Sequence, residues 1–229
     1  MLFRSRREVS RAFAPAGAPY GRPDVSHLLK DAPKPDPKTI GLVPLTPWEG
    51  KRWPPERWSA LIEGLRARGL SPTLLCGPGE ADAARAAAGV SPGGLAPSKN
   101  SADSANSACE NTTCALRVVE AGSVSAWPRL LAACGAVVSV NTGPMHVADA
   151  MGLPLVAIDG ASRLPLWAPE GPRSVVLQHQ NRVPDAPFHP TASNGPAVQR
   201  AVMALVAPDE VLALPFFRAP GLRGGGGSV

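Results

Sequence analysis

Ser139-Val140-Asn141-Thr142-Gly143-Pro144-Met145-His146 marks the end of an apolar run and the start of a short helix, and the rest of the chain arranges itself around that joint. Ala136 to Val140 reads as a buried strand. Pro144 sits in the first helical turn, Met145, Val147, Ala148 and Met151 follow it, and Gly152 is the stop. The first turn of a helix has N–H groups without intrahelical partners and lies at the positive end of the dipole, so Thr142 and the free amides there can hold a phosphate or a sugar hydroxyl. The same residues equally suit an ordinary strand-to-helix connection capped by Asn141 or Thr142.

Composition bounds what surrounds the joint. The chain has 229 residues, enough for one substantial core, and 44% of them are hydrophobic, as in a globular protein. Its 27 Pro and 23 Gly are concentrated outside the segments that read as folded. Residues 1–38 hold eight Lys/Arg against four Asp/Glu, and the remainder holds fifteen against fourteen. Four of the five net positive charges therefore belong to a leader and not to a folded face, which argues against nucleic acid as a partner. No apolar run reaches membrane-spanning length and no signal-peptide stretch follows Arg4 to Arg7, so a cytoplasmic protein is expected. The leader could form a short basic helix touching the inner face of a membrane, or remain an unstructured arm. Cys76 and Cys134 read as buried small hydrophobes; Cys109 and Cys114 lie in a polar segment with no His nearby, so no metal site is expected.

The chain then alternates strands and helices. A Pro-rich, largely disordered leader occupies residues 1–38, with Pro at 33, 35 and 37, and the folded part is expected over residues 39–214. Strands are predicted at Thr39 to Leu45, Pro72 to Cys76, Leu116 to Val119, Ala136 to Val140, Pro154 to Ile158 and Ser174 to Leu177. Helices are predicted from Pro54 to Gly69 with Trp58, Leu61, Ile62 and Leu65 on one face, from Glu80 to Ala88, from about Ser123 to Cys134, after Pro144, from Pro196 to Val206 and from Asp209 to Leu214. Residues 91–114 contain the near-repeat NSA-DSA-NSA and too little apolar surface to pack, so they read as a disordered insertion; residues 215–229 read as a flexible tail. Such alternation predicts an α/β fold, a Rossmann-like parallel sheet with helices on both faces.

In an open parallel sheet ligands lie at the carboxyl ends of the strands, so the loops there carry the candidate chemistry. Thr46 to Pro54 places Lys51 and Arg52 before a helix start, where cations and amides together suit a diphosphate. Glu80, just after Gly79, suits a ribose diol. The third loop is Asn141 to His146. Each also has a structural explanation: solvated loop charges for Lys51 and Arg52, a carboxylate favoured by the helix dipole for Glu80, and a core histidine for His146.

The segments GKRWPPERWSAL, LLCGPGE and VNTGPMHVADAMGLPLVAI, in that order, resemble the carboxyl-terminal, donor-binding domain of glycosyltransferase family 9, the ADP-heptose:lipopolysaccharide heptosyltransferases. The resemblance covers about residues 39–177 and implies half of a GT-B fold and inverting transfer of heptose from ADP-heptose to a sugar hydroxyl of a lipopolysaccharide core or related acceptor. It gives Lys51 the donor phosphates and the stabilisation of the leaving group, Glu80 the adenosine ribose, and Thr142, Gly143 and His146 the diphosphate and sugar. Thr46, Arg52, Asn141 and Pro144 complete the expected donor site. The nucleotide sugar is substrate, and no cofactor is implied. Two departures stand out. The family usually has Asp-Thr-Gly where this chain has Asn141-Thr142-Gly143. Only 38 residues precede Thr39, so the acceptor-binding half and its general base have no counterpart here. That leaves two expectations: a transferase whose acceptor half is a separate chain or a shortened leader, or a nucleotide-sugar-binding module that does not transfer.

Overall fold

A computed structural model describes residues 29, 32–90, 116–160, 167–183 and 195–217 of the chain. The expected insertion at 91–114, most of the expected leader and residues 218–229 of the expected tail lie outside those residues; residues 215–217, expected in the flexible tail, instead form a 3-10 turn that seals Phe217 in the core, because its ring has apolar area to bury. The described part is built on six strands: β1 (Asp36–Val43), β2 (Ser71–Cys76), β3 (Arg117–Glu120), β4 (Cys134–Val140), β5 (Leu155–Ile158) and β6 (Ser174–Leu177). They form one sheet in the order β3-β2-β1-β4-β5-β6, and every neighbouring pair is parallel. The helices are α1 (Pro55–Ala67), α2 (Ala81–Ala87), α3 (Trp127–Ala132), α4 (Gly143–Ala150), α5 (Gly195–Leu205) and α6 (Pro208–Leu212). This is the doubly wound arrangement, in which the chain winds outward from β1 through β3 and then returns to β4 on the other side of β1.

The period-2 alternation of the strands assigns their side chains to two cores. Ile40, Leu42, Leu74, Val138, Val140, Val156 and Ile158 pack on one face against Trp58, Leu61 and Leu65 of α1 and Met203 of α5. Val43, Leu75, Val137, Leu155 and Ala157 pack on the other face against Leu131, Met145 and Ala148 of α3 and α4. Trp53 and Trp58 meet edge to face at 5.0 Å and are sealed from solvent, and burying each such ring is worth about 3 kcal/mol or more. The Trp53 indole N–H donates to the Val206 carbonyl at 3.1 Å, and the Arg57 guanidinium donates to the Ala204 carbonyl at 3.1 Å. Arg68 reaches the carbonyl of Leu212. These bonds fold α5 and α6 back onto the start of the domain. Turns end the helices where glycine was expected: Gly69 follows α1 and Gly152 follows α4, each at φ +71°.

Three boundaries depart from expectation in ways the packing explains. β1 begins at Asp36, ahead of Thr39: the Asp36 N–H donates to the Ala133 carbonyl at 3.0 Å, and its carboxylate accepts from Lys38 N–H and the Thr39 hydroxyl. Pro37, which has no N–H, sits where the β1–β4 register shifts, so the extended proline segment enters the sheet through an irregularity that does not need its donor. The helix expected to reach Cys134 ends at Ala132, and Cys134 already belongs to β4. Short apolar runs such as Ala132-Ala133-Cys134 fit either period. The deciding feature is Gly135, where a Cβ would lie 2.7 Å from Pro37 Cα, so a bare backbone lets the two chains approach. The helix expected from Ser123 opens instead as a 3-10 turn, Val124–Ala126, before α3.

Candidate functional site

β1 has β2 on one side and β4 on the other, and the connections leave these strands in opposite directions, so a crevice opens at their carboxyl ends. Three polar side chains from the ends of three neighbouring strands meet there. Lys51 comes from the 3-10 turn Glu49–Lys51 after β1, Asn141 follows β4, and Asp159 follows β5. The Lys51 ammonium is 3.5 Å from Asn141 Oδ1, and Asn141 Nδ2 donates to Asp159 Oδ2 at 3.1 Å. Asn141 is 6% exposed and Asp159 only 1%, whereas Lys51 is half-buried. Burial lowers the Lys51 pKa from its ordinary 10.5, and the negative charge of Asp159 works against that shift. The Trp167 ring, 53% exposed, lies with its centroid 6.0 Å from the Lys51 ammonium.

The turn that carries Lys51 is held from outside the crevice. Gly50 is buried against α5, and a Cβ there would collide with the side chain of Gln199, which is itself 4% exposed. Glu49 pairs with Arg200 at 2.8 Å on the same helix, an exposed contact that adds little by itself. Thr46 shapes the loop: its hydroxyl accepts the Trp48 N–H at 3.4 Å and its carbonyl accepts Arg52 Nε at 3.5 Å. The two adjacent cations therefore diverge. Lys51 enters the crevice, while Arg52 is exposed and attached to its own loop.

α4 begins on the far side of Asn141. Thr142 is its N-cap, with φ −152° and ψ 171°, but its hydroxyl does not cap the helix. Asn141 is occupied with Lys51 and Asp159. Neither residue thus does the capping that an ordinary connection would ask of it. The amide supply is smaller than the sequence suggested. Pro144 has no N–H and the Met145 N–H closes on the Thr142 carbonyl at 3.1 Å, which leaves Gly143 as the amide at the mouth of the first turn. Gly143 is exposed and His146 is half-buried one turn on. Further along α4, the buried Asp149 carboxylate accepts from the Glu170 and Gly171 amides at 3.1 and 2.8 Å and from the Ser174 hydroxyl at 2.6 Å, fastening α4 to the segment entering β6.

Glu80 lies apart from this cluster, after β2. It is exposed, and its Oε2 accepts the Gly77 N–H at 2.8 Å, closing the turn that Gly79 completes at φ +71°. Glu120, at the end of β3, reaches the same turn and accepts from Gly79 and Ala81 N–H at 3.2 and 3.1 Å. A ribose diol at Glu80 would share that carboxylate with a backbone amide. Among the described residues no group of three His, Cys, Asp or Glu is placed to hold a metal ion, and no helix is long and apolar enough to cross a membrane.

Three residues escaped the reading of the sequence. Asp159 left a signal there: an acid directly after a four-residue apolar strand, at the end where ligands bind. Gln199 and Asp149 left none, since their roles depend on contacts with distant segments.

The chain has relatives of known structure. E. coli heptosyltransferase WaaC with ADP is similar at 20% identity and a TM-score of 0.57, over 90% of this chain and 52% of that one. E. coli ADP-heptose LPS heptosyltransferase II is similar at 21% identity and a TM-score of 0.54, over 82% of this chain and 48% of that one. The glycosyl transferase family 9 protein from Veillonella parvula follows at 15% identity and a TM-score of 0.52, over 76% and 43%. The chain spans about half the length of these structures, and at such identities the likeness establishes the fold. Among curated proteins none matches. The signature of glycosyltransferase family 9 (heptosyltransferase) matches residues 17–197, well over half of the chain and all of β1 to β6, and the protein belongs to that family.

Proposed function

We propose that this chain holds the diphosphate of a nucleotide sugar, ADP-heptose foremost, in the crevice between β1 and β4, as the donor-binding part of an inverting heptosyltransferase of lipopolysaccharide synthesis. The observation that carries the reading is the half-buried Lys51 ammonium beside Asn141, next to the first turn of α4. Family membership and the solved WaaC complexes with ADP and with ADP-2-deoxy-2-fluoro heptose support it. Lys51 and the Gly143 amide meet the diphosphate, Thr142 and His146 the phosphate and sugar, and Glu80 the ribose. Thr46 shapes the loop, and Arg52 adds positive charge at its edge.

In the reaction the acceptor oxygen attacks the anomeric carbon, the bond from that carbon to the diphosphate oxygen breaks, and the acceptor proton passes to a base. Negative charge grows on the leaving diphosphate. A cation already fixed in a partly dry crevice therefore stabilises the transition state more than the ground state. Asp159 is not the base: it is sealed from solvent and committed to Asn141. The base is then another group, and an acceptor-binding partner, a second protein chain or segment, is the source this reading favours. A nucleotide-sugar-binding module without transfer is the second reading, and the same commitment of Asp159 favours it.

The test is to titrate ADP and ADP-heptose into the full chain by calorimetry, and to incubate donor with a core saccharide acceptor, with and without a separate acceptor-binding domain. Saturable binding of both nucleotides supports the donor site. Transfer in either incubation decides for the enzyme over the binding module, whereas a chain that binds no nucleoside diphosphate sinks the donor-site reading altogether.

A further inference from the structure

The amide of Asn141 has one accepting end and one donating end, and its two neighbours differ in sign. The carboxylate of Asp159 requires the NH2 group, and the ammonium of Lys51 requires the oxygen, so only one orientation satisfies both. We infer that Asp159 is a positioning residue, whose buried carboxylate fixes the Asn141 amide with its oxygen toward Lys51 and so holds the lysine at the mouth of the crevice. The inference rests on the donor site proposed above and adds to it the device that aims its cation.

Asp159 is suited to this by its own anchoring. Its N–H donates to the Leu177 carbonyl at 3.0 Å, continuing the ladder from β5 to β6, so the residue is held by the sheet and not by a loose loop. At 1% exposure its carboxylate sits in a region of low dielectric, where its attraction for a cation two side chains away is screened little. Among the described residues, three other groups near Lys51 are engaged elsewhere or uncharged. Glu49, on the same turn, pairs with Arg200, Arg52 is attached to the Thr46 carbonyl, and Trp167 presents a neutral ring. The arrangement also accounts for the asparagine. An aspartate at 141 would set two carboxylates about 3.1 Å apart in a buried site, and like charges that close cannot both stay ionised without heavy cost. With the carboxylate at the end of β5, an amide is what the end of β4 can accommodate.

The test is a charge-swap cycle on the full chain: Asp159→Asn, Asn141→Asp, and Asn141→Asp/Asp159→Asn. Two readouts are taken: ADP affinity, and the titration of Lys51 followed by NMR on 15N-labelled lysine, with thermal melts to establish folding. Asp159→Asn removes the charge that opposes the lowering of the Lys51 pKa, so Lys51 should titrate at a lower pH than in the wild type, and ADP affinity should fall about threefold to tenfold. Asn141→Asp should melt lower than either the wild type or the double variant. The double variant restores one carboxylate, now against Lys51 itself, and should return Lys51 titration to the wild-type pH or above it and recover ADP affinity to within about twofold. A folded Asp159→Asn chain with unchanged Lys51 titration overturns the inference. If that variant does not fold, a folded double variant that titrates Lys51 below the wild type overturns it. A wild-type chain that binds no ADP refutes the donor site, and the lysine titration alone then decides the role of Asp159.

Discussion

Two turns at the same edge of the sheet use their acidic residues in different ways. After β2, the carboxylates of Glu80 and Glu120 both fold onto backbone amides, Glu80 onto Gly77 and Glu120 onto Gly79 and Ala81, and both residues remain exposed. At the crevice beside β1, the carboxylate of Asp159 is buried and bound to another side chain, which in turn faces a lysine. The first arrangement spends charge on holding a turn closed. The second keeps a cation aimed at a mouth and only partly screened. An exposed acid near a candidate ligand is therefore weaker testimony than a half-buried cation with a fixed line of polar partners behind it, because partial burial leaves the cation's field less screened than at the open surface.

The largest expected effect comes from breaking the crevice. Lys51→Ala should weaken ADP and pyrophosphate alike by about tenfold to a hundredfold, the worth of a charge-assisted contact, with little change in melting temperature. Calorimetry with both ligands checks it. The same lysine sets a pH dependence. Its lowered pKa means that ADP affinity should begin to fall as pH rises before 10.5 is reached, and Lys51→Ala should abolish that fall. A flat profile in the wild type would count against the lysine.

The β2 turn is tested by the difference between ligands. Glu80→Ala should reduce ADP affinity about threefold to tenfold while leaving pyrophosphate unchanged, since only ADP has a ribose. Equal loss for both ligands would make Glu80 a support of the turn and nothing more. Glu120→Ala touches only the turn. It should lower stability by about 1 kcal/mol in a denaturant titration and leave pyrophosphate affinity as it was.

The smallest effect lies at α6. The Glu210 carboxylate accepts the Ala207 N–H at 3.0 Å and lies 2.7 Å from His179. Burial pushes its pKa up, but the Ala207 amide and His179 outweigh burial and hold it below its ordinary 4.5. A carboxyl with a depressed folded pKa stabilises the fold above 4.5, and that contribution is lost as pH falls through the lowered value. Glu210→Gln should therefore melt less steeply with acidification than the wild type, by a small margin because the pair is partly exposed.

Much of this was legible in the residues. The order of strands and helices follows from apolar runs punctuated by Gly69, Gly79 and Gly152, and Lys51 and Asn141 were placed in one crevice by the rule for strand ends alone. The misplaced boundaries at Asp36 and Cys134 fall where proline or small residues fit two backbone conformations and the partner strand decides. Within the crevice, the sequence offered two cations and a row of helix amides. The structure separated Arg52 from Lys51, removed two amides through Pro144 and the Thr142–Met145 turn, and added Asp159. The missing N–H of Pro144 and the acid that ends β5 were there to be read in the residues, whereas the Arg52–Thr46 contact, the Thr142–Met145 turn and the pairing of Asn141 with Asp159 are settled only by the folded backbone. The apparent loss of a carboxylate at Asn141 becomes intelligible only once Asp159 is seen beside it.

A crystal structure of the full chain with ADP is the most direct test. It should show a diphosphate oxygen within about 3 Å of Lys51 Nζ and another near the Gly143 amide, with Asn141 still bound to Asp159. ADP seated elsewhere, or a diphosphate that leaves Lys51 facing Asn141 without contact, would contradict the account.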